Sequence, residues 1–300
     1  MSQTCLLTGR AGRMVATRQP DELARSYHTY LGHPLPAGLV AKYFTQPIDE
    51  LESPESGLRW FAPPVVAGRD FYEYLGATFD WYYENSWDKF FTVRLLKKIG
   101  AKSFTDIGCG SGSFIKLAAE AGIRGSGIEI NADAVQQAQR DGLQVHLDSA
   151  LPPDFQFSEL LCMFQTLEHV PDPLGFVRSH AERSECRRLL ITMPCYESLL
   201  GFTSDPLSWP PHHISFWSEK AIRTLAELAG FRVGGIWRQP LSSFKRFRRV
   251  WGREGERPLP ESGLTLSANP IASRWHFLKS RIAGRPWACW EHTIVGLLER

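Results

Sequence analysis

From residue 101 onward, short apolar runs alternate with stretches of helical spacing. Runs at 103–107, 127–130, 143–147, 160–164 and 189–193 read as strands. Residues 114–120 and 132–140 place apolar side chains three and four apart, as helices do. Asn131 suits the start of the second helix and Gly142 its end. A further helix at 218–229, closed by Gly230, leads into a sixth strand at 231–237, and 293–298 reads as one more. Strands alternating with helices predict a parallel sheet covered on both faces. Upstream, residues 1–68 carry many Pro and Gly and no long period, so they read as irregular. Residues 71–99 are crowded with aromatics and turn helical toward Gly100. Residues 239–288, rich in Arg, Trp and Pro, interrupt the pattern before the last strand.

Composition narrows the classes. The 300 residues carry 34 Lys plus Arg against 32 Asp plus Glu, a formal charge of +2 that gives no reason to expect a nucleic-acid partner. No window approaches the roughly 18–20 uninterrupted apolar residues of a membrane span. The N-terminal residues lack the apolar core of a secretory signal, so a cytoplasmic location is expected. Six Cys, at 5, 109, 162, 186, 195 and 289, form no C-x-x-C pair and specify neither a disulfide framework nor a metal site.

Phe104-Thr-Asp-Ile-Gly-Cys-Gly-Ser-Gly-Ser-Phe114 carries the most chemistry. Gly108, Gly110 and Gly112 follow an apolar strand and precede a helix. Glycine permits the tight turn and lets a ligand approach the backbone, and the helix start offers N–H groups to an anion. Glu129 ends the next strand, where a carboxylate can accept from both ribose hydroxyls. A dinucleotide loop, G-x-G-x-x-G, needs glycine where Ser113 stands. Asp106 suits an ammonium group better than a pyrophosphate. The set favours S-adenosylmethionine; NAD, or a strand–turn–helix with no ligand, stays open at this point.

Asp106-Ile-Gly-Cys-Gly-Ser-Gly112, Gly127-Ile-Glu129 and Leu167-Glu-His-Val-Pro-Asp-Pro173 resemble successive motifs of class I S-adenosylmethionine-dependent methyltransferases. The likeness is greatest to the branch holding ubiquinone-pathway O-methyltransferases and methyltransferases of sugar and glycan gene clusters. It implies an α/β, Rossmann-like fold with seven strands, the last antiparallel and inserted beside the sixth. It implies a small irregular N-terminal domain and an insert before the last strand. The corresponding division is 1–68 N-terminal region, 69–100 helical lid or bridge, 101–238 cofactor-binding core, 239–288 insert and 289–300 closing strand. By the same resemblance Asp106, Gly108, Cys109, Gly110 and Gly112 hold the methionine end and Glu129 the ribose. Ile130 and Ser149 flank the adenine and Asp148 meets its amino group. Phe164 and Gln165, with Glu168 following, stand near the methionine and the transferred methyl.

Pro210-Pro-His-His-Ile-Ser-Phe-Trp-Ser218 resembles the Glu-His-Leu-x-x-Phe-Ser segment of sugar C-methyltransferases, and His-Leu-x-x-Phe-Ser of related O-methyltransferases. His213 takes the place of the active-site His and His212 that of the Glu before it; His169 is a third candidate. Imidazole accepts a proton near neutral pH, though His213 and His169 can also serve only to anchor their loops. Tyr83 and Trp87, in Trp81-Tyr-Tyr-Glu-Asn-Ser-Trp87, fall where this branch places a lid, and packing is the competing reading.

Cys5-Leu-Leu-Thr-Gly9 and Ser53-Pro-Glu-Ser-Gly57 have the outline of two zinc knuckles whose relatives carry four Cys. Thr8, Ser53 and Ser56 replace three of them, and hydroxyls are poor zinc ligands, so no metal is expected. Phe244-Lys-Arg-Phe-Arg-Arg-Val-Trp251 reads as a solvated basic face, a site for an anionic substrate, or, least favoured, a membrane-surface contact. The function that follows is methyl transfer to a small molecule or glycan precursor, with oxygen the favoured atom. A non-catalytic cofactor-binding partner protein is the rival, and a homodimer is kept open.

Overall fold

The chain's first regular elements are β1 (Arg13–Arg18), α1 (Pro20–Leu31), α2 (Ala37–Tyr43), β2 (Ile48–Glu52) and β3 (Arg59–Ala62). The computed structural model describes residues 4–78, 86–197, 206–240 and 290–300, without the side chains of 290–292. The stretch expected to be irregular is therefore folded. Its strands are four to six residues long and pair antiparallel across turns and helices, too short to print a period on the sequence. In α1, Leu23 and Tyr27 lie one turn apart and are buried, packing with Phe44, Phe61 and Phe71.

Two knuckle-like turns sit within this unit. Gly9 and Gly57 adopt φ of 68° and 69°, which favours glycine, and the turns meet where Cys5 Sγ lies 3.3 Å from Ser56 Oγ. The Ser56 N–H also donates to Ser53 Oγ at 3.1 Å.

The aromatic segment is two helices rather than one: α3 (Arg69–Thr78) and α4 (Trp87–Lys98). The core follows as β4 (Ser103–Ile107), α5 (Ser113–Glu120), β5 (Arg124–Glu129), α6 (Ala132–Arg140), β6 (Val145–Leu147), β7 (Leu160–Phe164), α7 (Pro173–Arg183) and β8 (Arg188–Pro194). Then come β9 (Ser215–Phe216), α8 (Glu219–Leu228), β10 (Arg232–Pro240) and β11 (Trp290–Glu299). Asn131 Oδ1 caps α6 by accepting from the Asp133 N–H at 3.0 Å, as its position in the sequence suggests. The sequence reading missed α7, although Asp172 caps it and Pro173 opens it.

The large sheet runs β10-β11-β8-β7-β4-β5-β6. The β4, β5, β6, β7 and β8 pairings are parallel, while β11 lies antiparallel between β10 and β8, as the resemblance implies. Central β7, Leu-Leu-Cys-Met-Phe, is buried throughout, the signature of a strand covered on both faces. Strand order reverses between β4 and β7. A ligand crevice in such sheets opens there, outside the carboxyl ends of the strands. Of the insert expected at 239–288, residues 241–288 lie outside the described residues.

Candidate functional site

Strand β4 delivers Asp106 to that crevice, in register with Gly127 on β5 and Cys162 on β7. The side chain is 1% exposed, and Oδ1 finds no hydrogen-bond partner among the described residues. Burial drives its carboxyl well above the ordinary range; Lys89 opposes the shift and Glu129 adds to it. The chain then turns through Gly108, Gly110 and Gly112, with φ of 76°, 56° and 79°. At Gly112 a Cβ would also stand 2.6 Å from Leu143 Cδ1, so both conformation and space require glycine. Cys109 is buried beneath the turn, where burial pushes its thiol up.

Glu129 joins this turn to the next strand. Its Oε2 accepts from the Gly110 N–H at 2.8 Å, and Oε1 accepts from the N–H groups of Ile130 and Asn131 at 2.8 and 2.9 Å. A carboxylate has about four acceptor sites, so capacity is left for a further hydroxyl. Ile130 is 82% exposed beside it, a large apolar side chain open to a flat ligand. Asp148 opens a short 3-10 turn and pairs with Arg183 Nη1 at 3.4 Å, and Ser149 is exposed. Phe164 is buried with its ring 4.2 Å from that of Phe114. Gln165 follows with φ of 49°, a strained value for a side-chain-bearing residue and one that clusters at functional sites. Its N–H donates to the Thr192 carbonyl at 2.9 Å.

A second group gathers after β7, the strand that pairs with β4. His169 lies in the turn Leu167–His169 after β7, and His212 and His213 in the segment before β9. Ring centroids are 4.5 to 4.9 Å apart. Burial lowers His169 to about 4; burial, then His169 itself, lowers His212 to about 3, so both are neutral near pH 7. Glu168 is fully buried, its carboxyl oxygens have no hydrogen-bond partner among the described residues, and burial raises it to about 8. The candidate histidines, remote in sequence, are thus brought together. Trp87 instead stacks on Phe91 with centroids 4.8 Å apart and packs against the core. Tyr83 lies outside the described residues.

Two residues of this region were missed. Lys89 Nζ on α4 donates to Ser113 Oγ at 2.6 Å, placing a cation at the glycine turn. Tyr72 Oη on α3 lies 3.2 Å from His169 Nδ1, and its ring is 5.8 Å from that of His212. No local pattern marks either, because each reaches the site from a helix outside the core.

Comparison with known proteins supplies the family. A family model described as a methyltransferase domain matches residues 80–234, more than half of the chain. The chain belongs to the class I S-adenosylmethionine-dependent methyltransferases. Similar to this methyltransferase are the ubiquinone biosynthesis O-methyltransferases of Haemophilus ducreyi, 30% identical over 102 residues, and of Actinobacillus pleuropneumoniae, 31% identical over 103. Each match covers 30% of the methyltransferase chain and 41% of the relative, so well under half of those relatives' length is spanned. In fold, it resembles a solved chain from the complex of the Haloferax volcanii Trm112 methyltransferase activator, with TM-score 0.50 and 17% identity over 78% of this chain and 97% of that one.

The family's cofactor is S-adenosylmethionine, and the residues present fit it. The buried Asp106 oxygen lacks a partner and can meet an ammonium group. The glycine turn leaves room for close approach to the backbone. Glu129 stands within one hydrogen bond of that turn.

Proposed function

We propose that this methyltransferase moves a methyl group to an oxygen of a small molecule or glycan precursor. The observation that carries the reading is the cluster of three imidazoles built on the turn after β7, the strand that pairs with the Asp106 strand β4. Bound S-adenosylmethionine supplies an activated methyl on a sulfonium. Asp106, Gly108, Cys109, Gly110 and Gly112 hold its amino-acid end, Glu129 its ribose, and Ile130, Asp148 and Ser149 its base. Phe164 and Gln165 line the approach to the methyl.

The chain's own work is then positional. Holding the acceptor oxygen in line can supply about 7–11 kcal/mol of the barrier. A neutral hydroxyl acceptor must lose a proton during attack, and His213 is the residue proposed to take it, with the rings of His212 and His169 beside it. Such a base contributes roughly 10²–10⁴-fold. Tyr72, at the mouth of the cluster, contacts the acceptor. The 30% identity to O-methyltransferases over a limited stretch supports oxygen as the atom. A panel of phenols, sugars and nucleotide sugars, assayed with labelled cofactor, tests this. We expect one class to accept label, and a His213→Ala chain to lose about 10²-fold or more in turnover with its cofactor affinity intact. Unchanged turnover in that chain would remove the base.

A further inference from the structure

The three imidazoles have an arrangement that proton transfer alone does not require. One ring nitrogen from each of His169, His212 and His213 lies within 4.8 Å of the other two. Two separate segments supply them and are tied together: the Ile214 N–H donates to the Glu168 carbonyl at 2.9 Å, and the Phe61 N–H to the Ile214 carbonyl at 3.0 Å. Two of the three rings are also fixed in tautomer. His169 Nδ1 stands 2.6 Å from the His212 carbonyl oxygen, and His212 Nδ1 stands 2.7 Å from that of Leu207. A carbonyl only accepts, so both Nδ1 atoms carry the hydrogen and Nε2 of each carries the lone pair. Metal-binding histidines are held in this way, with the second ring nitrogen donated to a protein oxygen.

Size and donor type then select the guest. Nitrogens bound to one tetrahedral zinc at 2.0–2.1 Å stand about 3.4 Å apart, so a 4.8 Å gap must close by about 1.4 Å as the ion binds. Three imidazoles and no carboxylate suit zinc, cobalt, nickel or copper, whereas magnesium and calcium need oxygen donors. Three protein ligands leave one position open, as in sites that exchange a water.

We propose that His169, His212 and His213 together bind one divalent transition-metal ion, with the remaining position taken by water. Binding does not depend on the methyl-transfer reading. Its consequence does: an ion on these nitrogens holds the lone pair assigned to the acceptor's proton, so the loaded protein lacks its base.

The test uses tag-free, full-length protein stripped with a chelator, then titrated with Co²⁺ and followed by visible absorption, with Zn²⁺ as displacer. We expect one Co²⁺ per chain, displaced by Zn²⁺ and untouched by excess Mg²⁺. His169→Gln and His212→Gln should each weaken binding by more than the roughly 10–100-fold typical of losing an outer-shell partner. Cys5→Ala, which removes the thiol between the two N-terminal turns, should leave binding as it was. Circular dichroism and the thermal midpoint of each variant report folding. If a histidine variant unfolds, the wild-type stoichiometry and the Cys5→Ala titration still decide. Absence of saturable Co²⁺ binding by the folded wild type overturns the proposal, as does full binding by a folded His169→Gln chain or loss of binding in Cys5→Ala. Absent binding leaves methyl transfer intact, and absent turnover leaves the metal site intact.

Discussion

Asp106 sits in a place where a charge is costly. It is buried, one oxygen has no partner among the described residues, and its carboxyl is pushed well above the ordinary range by that burial. An ammonium group arriving beside it reverses the balance, because an opposite charge favours the ionised form. Binding the cofactor should therefore release a proton from Asp106. The free protein holds this proton more tightly than the complex, so affinity for S-adenosylmethionine rises with pH from the ordinary carboxylate range upward. It levels off once the free protein has also ionised. Calorimetry in buffers of differing ionisation enthalpy measures both affinity and proton release. An Asp106→Asn chain should bind more weakly and show neither the slope nor the released proton; a wild-type affinity flat across that range sinks the argument. This residue was legible in the sequence as a candidate because the three glycines that follow it mark the turn. The histidine cluster was legible only as separate candidates: His169 and His213 are far apart in sequence, and nothing local announces that their rings meet.

Elements were readable where one strand or helix carries its own pattern. Strand β7 is apolar at every position, and α6 and α8 are bracketed by a capping side chain and a glycine. What the pattern hides is how neighbouring elements restrict each other. Gly127 looks like an ordinary strand residue, yet a Cβ there would stand 2.4 Å from Cys109 Sγ and 2.7 Å from Ile115 Cδ1. Strand β5 thus presses directly on the glycine turn through Cys109. Gly127→Ala should destabilise the fold by about 1–3 kcal/mol through overpacking, and it should also weaken cofactor binding because the nearest clash is with Cys109 in the glycine turn. Denaturant unfolding paired with calorimetry checks both; a stable, full-affinity variant would show that the turn tolerates the intrusion. Ser218 makes a similar link at the start of α8. Its Oγ accepts from the Ala221 N–H at 3.0 Å and donates to the Gly57 carbonyl at 2.7 Å, so the helix cap also ties down a knuckle-like turn. Ser218→Ala should cost about 1–2 kcal/mol, the upper part of the range for a lost cap, and chemical denaturation measures it.

At the scale of the whole molecule, the N-terminal unit works as a brace for the histidine segment. Strand β9 is only two residues long, yet it pairs with β3 and closes the four-stranded sheet, drawing the segment that carries His212 and His213 into that unit. The Ala67 N–H donates to the Pro211 carbonyl at 2.8 Å, Tyr27 Oη donates to the Trp209 carbonyl at 3.1 Å, and the Arg18 guanidinium lies 4.8 Å above the Trp209 ring. These contacts join residues some 140 to 190 positions apart, which is why the stretch reads as irregular: its order comes from partners that local periodicity does not reveal. Tyr27 also packs edge-on against Phe44 and Phe71, so its ring holds the N-terminal core while its hydroxyl bonds to the histidine segment. Tyr27→Phe separates the two roles. The ring contacts persist, and the lost hydrogen bond costs only about 0.5–1.5 kcal/mol of stability. If the brace positions the imidazoles, turnover should fall about 10-fold or more, because small misplacements at a reacting centre are expensive, while affinity for S-adenosylmethionine stays as in the wild type. Single-turnover kinetics alongside cofactor calorimetry separates these effects. Equal losses of cofactor affinity and turnover would mean that the N-terminal unit supports the fold as a whole and has no particular hold on the histidines.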